Sequence, residues 1–251
     1  MCVRVKSNSM SPEILHYETK AELYPDLIHR LQGEINHLRG ISRNPVLALP
    51  TGNTMIPLYE LVTQCSESLK VSSWHCFQLD EYYPLNQVSR DKSFRTYLNH
   101  HFYSKIEAPP ALMESLDGFT SDPEAECERY EKKIAAEGGI DLAILGIGVN
   151  GHIAFNEPGS PFDSKTRVIA LHPETIASNF KDSPPIQRAM TIGIGTLLQA
   201  KKIWVVALSK SKAKAVQSAI HEPMNNAVPA SALQLHPQVT WFLDSEAASQ
   251  L

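Results

Sequence analysis

The chain predicts an α/β fold: a Rossmann-like, largely parallel sheet with helices on both faces. Three observations carry this reading. Short apolar runs of strand length alternate with segments of helical periodicity along most of the sequence. Helix starts and stops carry capping residues, and strand ends run into polar, glycine-bearing turns. No internal repeat or low-complexity segment breaks the pattern, so residues 1–251 are read as one domain.

A helix is predicted from about Lys20 to Leu38. "PVLALP" is a short buried strand, apolar and bounded by prolines, and "TGNT" turns it into the helical "MIPLYELVTQC". "WHCFQLDEYY" is an aromatic-rich strand. "KSFRTYLNHHFYSKI" and "DPEAECERYEKKIAAEGG" are helical, the second with Asp122 as N-cap, Pro123 at the first helical position and glycines past its end. "DLAILGIG" and "TRVIAL" are strands, and "RAMTIGIGTLLQA" passes from strand to helix. "KKIWVVAL" is a strand, "SKSKAKAVQSAI" a helix with serine available for capping, and "QVTWFLD" a last strand. In such folds ligands bind beyond the carboxyl ends of the strands. The loops to inspect are therefore "TGNT", "DEYY", "GIGVNGHIAFNEPG" and "SKSKAK".

Composition removes several function classes. The formal net charge is −4 and no long basic run occurs, which disfavours nucleic acid and anionic membranes as partners. The amino-terminal segment has no apolar core of signal-peptide length, and runs such as "IWVVAL" are too short to span a bilayer. Cys2, Cys65, Cys76 and Cys127 form no C-x-x-C pair and no zinc spacing, and the histidines form no H-E-x-x-H. Reduced thiols, a cytoplasmic location and no bound metal are the expectation.

Gly146-Ile147-Gly148-Val149-Asn150-Gly151 spells the dinucleotide fingerprint G-x-G-x-x-G directly after a strand. A dinucleotide loop must open a helix whose amino terminus meets the pyrophosphate. Here Pro158, Gly159 and Pro161 forbid a long helix, and "TRVIAL" ends without the acidic residue that would hold a ribose. No nicotinamide cofactor is expected. The glycines instead allow a tight exposed turn that presents His152 and Glu157, a pair able to exchange protons near neutral pH. A plain turn would use the same glycines; the crowding of His152, Asn156 and Glu157 in one loop after one strand favours chemistry. Asn150 can orient His152 through its carbonyl oxygen.

Asp80 and Glu81 end an apolar strand, where adjacent side chains point to opposite faces. Only one of the two can face a site while the other caps or pairs, and a solvated strand end would use the same residues; a partly desolvated carboxylate can act as a general base toward a weak carbon acid. Thr51, Gly52, Asn53 and Thr54 supply backbone N–H groups and hydroxyls at a helix start, a phosphate cradle or an ordinary N-cap. Lys210, Lys212 and Lys214 sit at another helix start, where cations oppose the helix dipole unless an anion binds.

Together these segments resemble the glucosamine-6-phosphate deaminase/isomerase family, from "LALPTGNT" to "SALQLHP". "GHIAFNEPGSPFDSKTRV" is close to the family signature, and "FQLDEY", "TIGIGTLL" and "LQLHP" match in order. The related 6-phosphogluconolactonases continue their glycine loop in the style of "GHTASLFP"; the galactosamine-6-phosphate isomerase branch is a nearer competitor. The resemblance implies a cofactor-free aldose–ketose isomerisation with loss of ammonia, from glucosamine 6-phosphate to fructose 6-phosphate. It implies Asp80 as the base at C2, His152 in ring opening with Glu157 in support, and the Thr51–Thr54 loop with Lys212 at the phosphate. Lys181 falls near a family arginine. Asn150 stands where the family often has aspartate, and Met55 where it has proline. The chain stops soon after "TWFLDSEAAS", a region longer relatives use in assembly. Hexamer formation and activation by an acetylated sugar phosphate are not expected, and monomer versus homo-oligomer stays open.

Overall fold

The computed structural model describes residues 12–41, 43–180 and 186–251. Along the chain run β1 (Glu13–Tyr17), α1 (Lys20–Gly40), β2 (Val46–Leu49), α2 (Ile56–Gln64), β3 (His75–Gln78), β4 (Asp80–Tyr83), α3 (Phe94–His101) and β5 (Leu112–Glu114). Then come α4 (Pro123–Ala136), β6 (Leu142–Gly146), β7 (Arg167–Ala170), α5 (Pro173–Asn179), β8 (Arg188–Thr191), α6 (Ile194–Leu197), β9 (Lys202–Ala207), α7 (Ala213–His221) and β10 (Val239–Asp244). Seven strands form one sheet in the order β1-β10-β9-β6-β2-β3-β5, every pair parallel. The expected parallel sheet is therefore present.

Period-two alternation makes both faces of this sheet apolar. Ala48, Ala143, Leu145, Ile203, Val205 and Trp241 point into one core, with α4, α6 and α7. Leu47, Leu49, Leu142, Ile144, Trp204 and Phe242 point into the other, against α1, α2 and α3. Helix α1 meets its core with a stripe of Leu23, Leu27, Leu31, Ile35 and Leu38, the spacing that keeps one helical face apolar. Helix α4 starts as expected, with Asp122 accepting the Ala125 N–H at 3.0 Å and Pro123 in its first turn.

Four details differ from the sequence reading. "WHCFQLDEYY" is two strands, because the chain leaves the large sheet at Leu79 and enters a second one. That sheet has three antiparallel strands in the order β4-β8-β7. "DEYY" is thus strand and not loop, and "TRVIAL" belongs to the small sheet. Serine does not cap α7: its N-cap is Lys212 with no side-chain cap, preceded by a 3₁₀ turn at Lys210–Lys212. Strands β1 and β5 were not anticipated. Both lie at sheet edges, where half-exposed residues carry little apolar pattern.

The strand order reverses between β2 and β6. The chain builds outward through β3 and β5, returns to the far side of β2 as β6, and continues to β9, β10 and β1. The crevice beyond the carboxyl ends of β2 and β6 is the switch point where ligands bind in open parallel sheets.

"TIGIG" shows how closely the small sheet packs. A Cβ on Gly193 would fall 2.1 Å from the Ser164 carbonyl oxygen, and one on Gly195 2.7 Å from that of Asp163. Backbone cannot retreat from such contacts as a side chain can. We expect Gly193→Ala to destabilise the protein by about 1–3 kcal/mol. Urea unfolding at neutral pH checks this; an unchanged midpoint would show that the 164–165 segment yields freely.

Candidate active site

The cavity at the switch point has a volume of about 700 Å³. The turns after β2, β6 and β9 line it, together with Asp80, Tyr82 and Phe94 from the small-sheet side. Thr51, Gly52, Asn53, Thr54, Asp80, Asn150, His152 and Lys212 all line it. Glu157 is 8% exposed and stands behind His152 and Asn150. Lys181 lies outside the described residues. Lys210 and Lys214 are exposed and do not line the cavity.

The adjacent acids at the start of β4 have opposite fates. Asp80 faces the cavity, 6% exposed, and among the described residues nothing hydrogen bonds its carboxylate. Burial, and then the neighbouring Glu81 carboxylate, push its pKa up to about 8. Glu81 turns toward α3. It accepts from the N–H groups of Tyr82 and Phe94 at 2.9 Å, from that of Arg95 at 3.1 Å and from the Ser93 hydroxyl at 2.6 Å. It therefore satisfies donors that the first turn of α3 leaves open. Burial still raises its pKa above the ordinary range, against these hydrogen bonds.

The glycine loop seats the histidine. A Cβ on Gly148 would lie 2.3 Å from two atoms of the His152 ring, so the ring rests on a backbone that only glycine leaves bare. Gly151 adopts φ 81°, in the left-handed region, and its carbonyl accepts the Ala230 N–H at 2.8 Å. His152 Nδ1 lies 3.4 Å from Glu157 Oε2, within ion-pair range but outside hydrogen-bond geometry. Asn150 does not orient the ring, contrary to expectation. Its Oδ1 accepts the His152 backbone N–H at 3.2 Å, and its amide donates to Glu157 Oε2 at 3.0 Å. The side chain is spent on the backbone turn and on the carboxylate. An aspartate at 150 would face Glu157 with like charge.

Burial alone would raise the pKa of Glu157. The His152, Thr175 and Asn150 contacts overcome it and bring the pKa down to about 2. Thr175, on α5, donates to Glu157 Oε1 at 2.6 Å. Asn156 is structural: its amide donates to the carbonyls of Ile153 and Ile192, and its Oδ1 accepts from Arg167 at 2.8 Å.

At the other end of the cavity Gly52 has φ 102°, and the N–H groups of Gly52, Asn53 and Thr54 have no hydrogen-bond partner among the described residues. Tyr97 donates to the Gly52 carbonyl at 2.8 Å and Tyr24 to that of Thr54, which turns the carbonyls away from the free N–H groups. Lys212 is half-buried with no ion pair among the described residues, and burial lowers its pKa. Unpaired N–H groups and a cation on one cavity are the kinds of donor that hold an anion. Among the described residues no three His, Cys, Asp or Glu side chains converge as metal ligands.

Tyr97, Tyr24, Thr175 and the aromatic wall of Tyr82, Phe94, Phe155 and Phe180 were missed by sequence reasoning. Thr175 sits in "HPETIASN", which carries no local signal; only the tertiary contact with Glu157 singles it out.

A parallel-sheet switch point that brings together a buried carboxyl, a histidine–carboxylate pair, unpaired N–H groups and a lysine defines an α/β protein with a cavity whose groups suit acid–base chemistry. The chain belongs to the family described as glucosamine-6-phosphate isomerases/6-phosphogluconolactonase, whose model matches residues 18–241. Glucosamine-6-phosphate deaminase 2 of Giardia intestinalis is 40% identical over 215 residues, spanning 83% of this chain and 81% of that one. A solved monomeric glucosamine-6-phosphate deaminase superposes with a TM-score of 0.87 at 35% identity, over 95% of this chain and 100% of its own. The 6-phosphogluconolactonase from Trypanosoma cruzi shares the fold, with a TM-score of 0.76 at 21% identity over 97% and 98% of the two chains.

Asp80 ties the site to stability. Its carboxyl titrates near 3.9 in an unfolded chain and at about 8 in the folded one. Both states hold the proton in strong acid. As pH rises the unfolded chain releases it first, so stability falls until the folded carboxyl also ionises. We expect Asp80→Asn to be more stable than the parent protein at about pH 9, by on the order of 2–5 kcal/mol, with no gain at about pH 3. Thermal melts of both proteins across this range check it; a gain independent of pH would contradict the raised pKa.

Proposed function

We propose that this protein is an enzyme, a glucosamine-6-phosphate deaminase, which converts glucosamine 6-phosphate and water to fructose 6-phosphate and ammonia. The observation that carries this reading is Asp80: a buried, unpaired carboxyl on the cavity wall, next to a histidine–carboxylate pair and an anion cradle. A carboxyl with a raised pKa is, once ionised, a stronger base toward a weak carbon acid. It also complements a cationic amino group, which a lactone does not carry. The relatives at about 40% identity that bear the deaminase name support the same choice.

In this reading the Thr51–Thr54 loop and Lys212 hold the phosphate and so orient the reacting end of the sugar. His152 moves the proton between the anomeric hydroxyl and the ring oxygen as the ring opens, and Glu157, with Asn150 bonded to it, stabilises the imidazolium form. Asp80 takes the proton from C2, leaving a C1–C2 enaminol, and returns it to C1. The resulting C2 iminium adds water and expels ammonia. No cofactor enters any of these steps.

The cavity draws on both sheets, which supports residues 1–251 as one catalytic domain. Among the described residues no helix is long and apolar enough to cross a membrane. Cys65, Cys76 and Cys127 are free thiols, which supports a cytoplasmic location.

Ammonia release from glucosamine 6-phosphate and galactosamine 6-phosphate, assayed side by side with lactone hydrolysis, tests the proposal. Release from the gluco epimer is expected. Release from the galacto epimer alone would move the protein to the other isomerase branch, and lactone hydrolysis without ammonia would make it a lactonase. Asp80→Asn should keep sugar-phosphate binding and lose both turnover and C2-proton exchange with solvent. Lys212→Ala should weaken binding of the sugar phosphate and of inorganic phosphate in parallel, by about 1.5–3 kcal/mol. Titration calorimetry measures both ligands; unchanged affinities would remove Lys212 from the phosphate site.

A further inference from the structure

Glu157 is held at both oxygens. Oε2 takes the Asn150 amide at 3.0 Å and faces His152 Nδ1 at 3.4 Å. Oε1 takes the Thr175 hydroxyl at 2.6 Å. Asn150 belongs to the same loop as Glu157 and His152. Thr175 does not. It belongs to α5, the helix between β7 and β8, and is 7% exposed. The same helix runs into Phe180, whose ring meets Tyr82 of β4 at 5.1 Å. Helix α5 thus reaches the site at two points: the aromatic wall beside Asp80, and the carboxylate behind His152.

A carboxylate fixed at one oxygen can still turn about its last bond. Fixed at both, it presents one lone pair in one direction. The Thr175 hydrogen bond is short and buried, and its acceptor is charged, which places it in the stronger class of hydrogen bonds. Among the described residues the titratable group facing Glu157 is His152.

We propose that Thr175 is a positioning residue: by binding Oε1 it locks the rotation of the Glu157 carboxylate, aims Oε2 at His152, and makes ring opening depend on the seating of α5. This rests on the deaminase reading for its consequence in turnover, but its physical core, the control of Glu157, stands without it.

The test uses Thr175→Val, which keeps the shape and removes the donor, and Thr175→Ser, which keeps the donor. Two readouts are made on the full chain. The first is the titration of the Glu157 side-chain carboxyl by carbon NMR, assigned with Glu157→Gln. The second is the pH profile of kcat and KM for ammonia release from glucosamine 6-phosphate. Thr175→Val should move the Glu157 titration to higher pH and lower kcat by up to about 10²-fold, the low end of what an acid–base group contributes, with KM nearly constant. Thr175→Ser should recover most of both. In a Glu157→Gln background Thr175→Val should add little further loss, because the two act as one unit.

If Thr175→Val leaves the Glu157 titration in place, the proposal is overturned, whatever the activity. A shifted titration with unchanged kcat and pH profile overturns the link to ring opening. Equal loss in the valine and serine variants, or additive loss with Glu157→Gln, would reduce Thr175 to packing. If the parent protein releases no ammonia at all, the deaminase reading fails, and the NMR titration still decides the role of Thr175.

Discussion

Leu79 hydrogen bonds to two sheets at once. Its N–H donates to Leu49 of β2 at 3.3 Å, the last rung toward the parallel sheet. Its carbonyl accepts the N–H of Ile192, at the end of β8, at 2.8 Å. One residue therefore ends one sheet and begins the other, and the residue after it is Asp80. The hinge is braced by Gln78, whose amide donates to the Asp80 carbonyl and whose own carbonyl accepts the Tyr130 hydroxyl at 2.6 Å. With the backbone pinned on both sides, Asp80 cannot withdraw from the cavity, and Glu81 is committed to α3. The loop after β6 meets the same framework, since the Phe155 N–H donates to Thr191 Oγ1 at 3.1 Å, opposite Asp80 in the small sheet. The two halves of the site are thereby held to one register.

Three buried carboxyls within this region show how environment, not residue type, sets chemical role. Glu81 is surrounded by donors and serves the fold. Glu157 has donors at both oxygens and stays ionised. Asp80 has none among the described residues and holds its proton far above the usual range. A fold selected only for stability would not bury an unpaired acid, because the ionised form lacks solvation and the unfolded chain ionises freely. The cost is concentrated on the wall of the cavity, the usual pattern where function is set against stability. That Asp80 and Glu81 are adjacent makes the contrast a consequence of strand geometry: neighbours on β4 must point to opposite faces.

Much of the fold could be read from the sequence because its core strands are buried on both faces and its helices are long enough to show a period. The parallel sheet, the stripe of α1 and the cap at Asp122 all follow from that. The second sheet could not be read, since Gln78-Leu79-Asp80 has the same apolar-polar alternation whether or not the chain changes sheets. Strand β1 pairs with β10 from more than two hundred residues away, so its identity as a strand is a tertiary fact. Asp80, His152, Glu157, the Thr51–Thr54 loop and Lys212 stood out because polar residues after buried strands are conspicuous. Thr175 did not, because a threonine in a short helix is ordinary until its partner is known.

The glycine motif shows why spacing alone misleads. In a dinucleotide site, G-x-G-x-x-G clears space for a pyrophosphate at a helix amino terminus. Here the same spacing clears space for the protein's own histidine. Gly148 leaves bare the backbone on which the His152 ring lies, and its N–H donates to the His152 carbonyl at 2.9 Å, closing the turn that brings the ring back over it. Gly151 takes the positive φ that this turn requires, and its space is bounded by Val228, 2.7 Å from where a Cβ would stand. Asn150, between them, accepts the His152 N–H and donates to Glu157. Gly148, Asn150 and Gly151 are thus constrained by the turn that carries His152. The loop uses its backbone to seat the His152 ring, and the unpaired N–H groups on the cavity lie elsewhere, in the turn after β2.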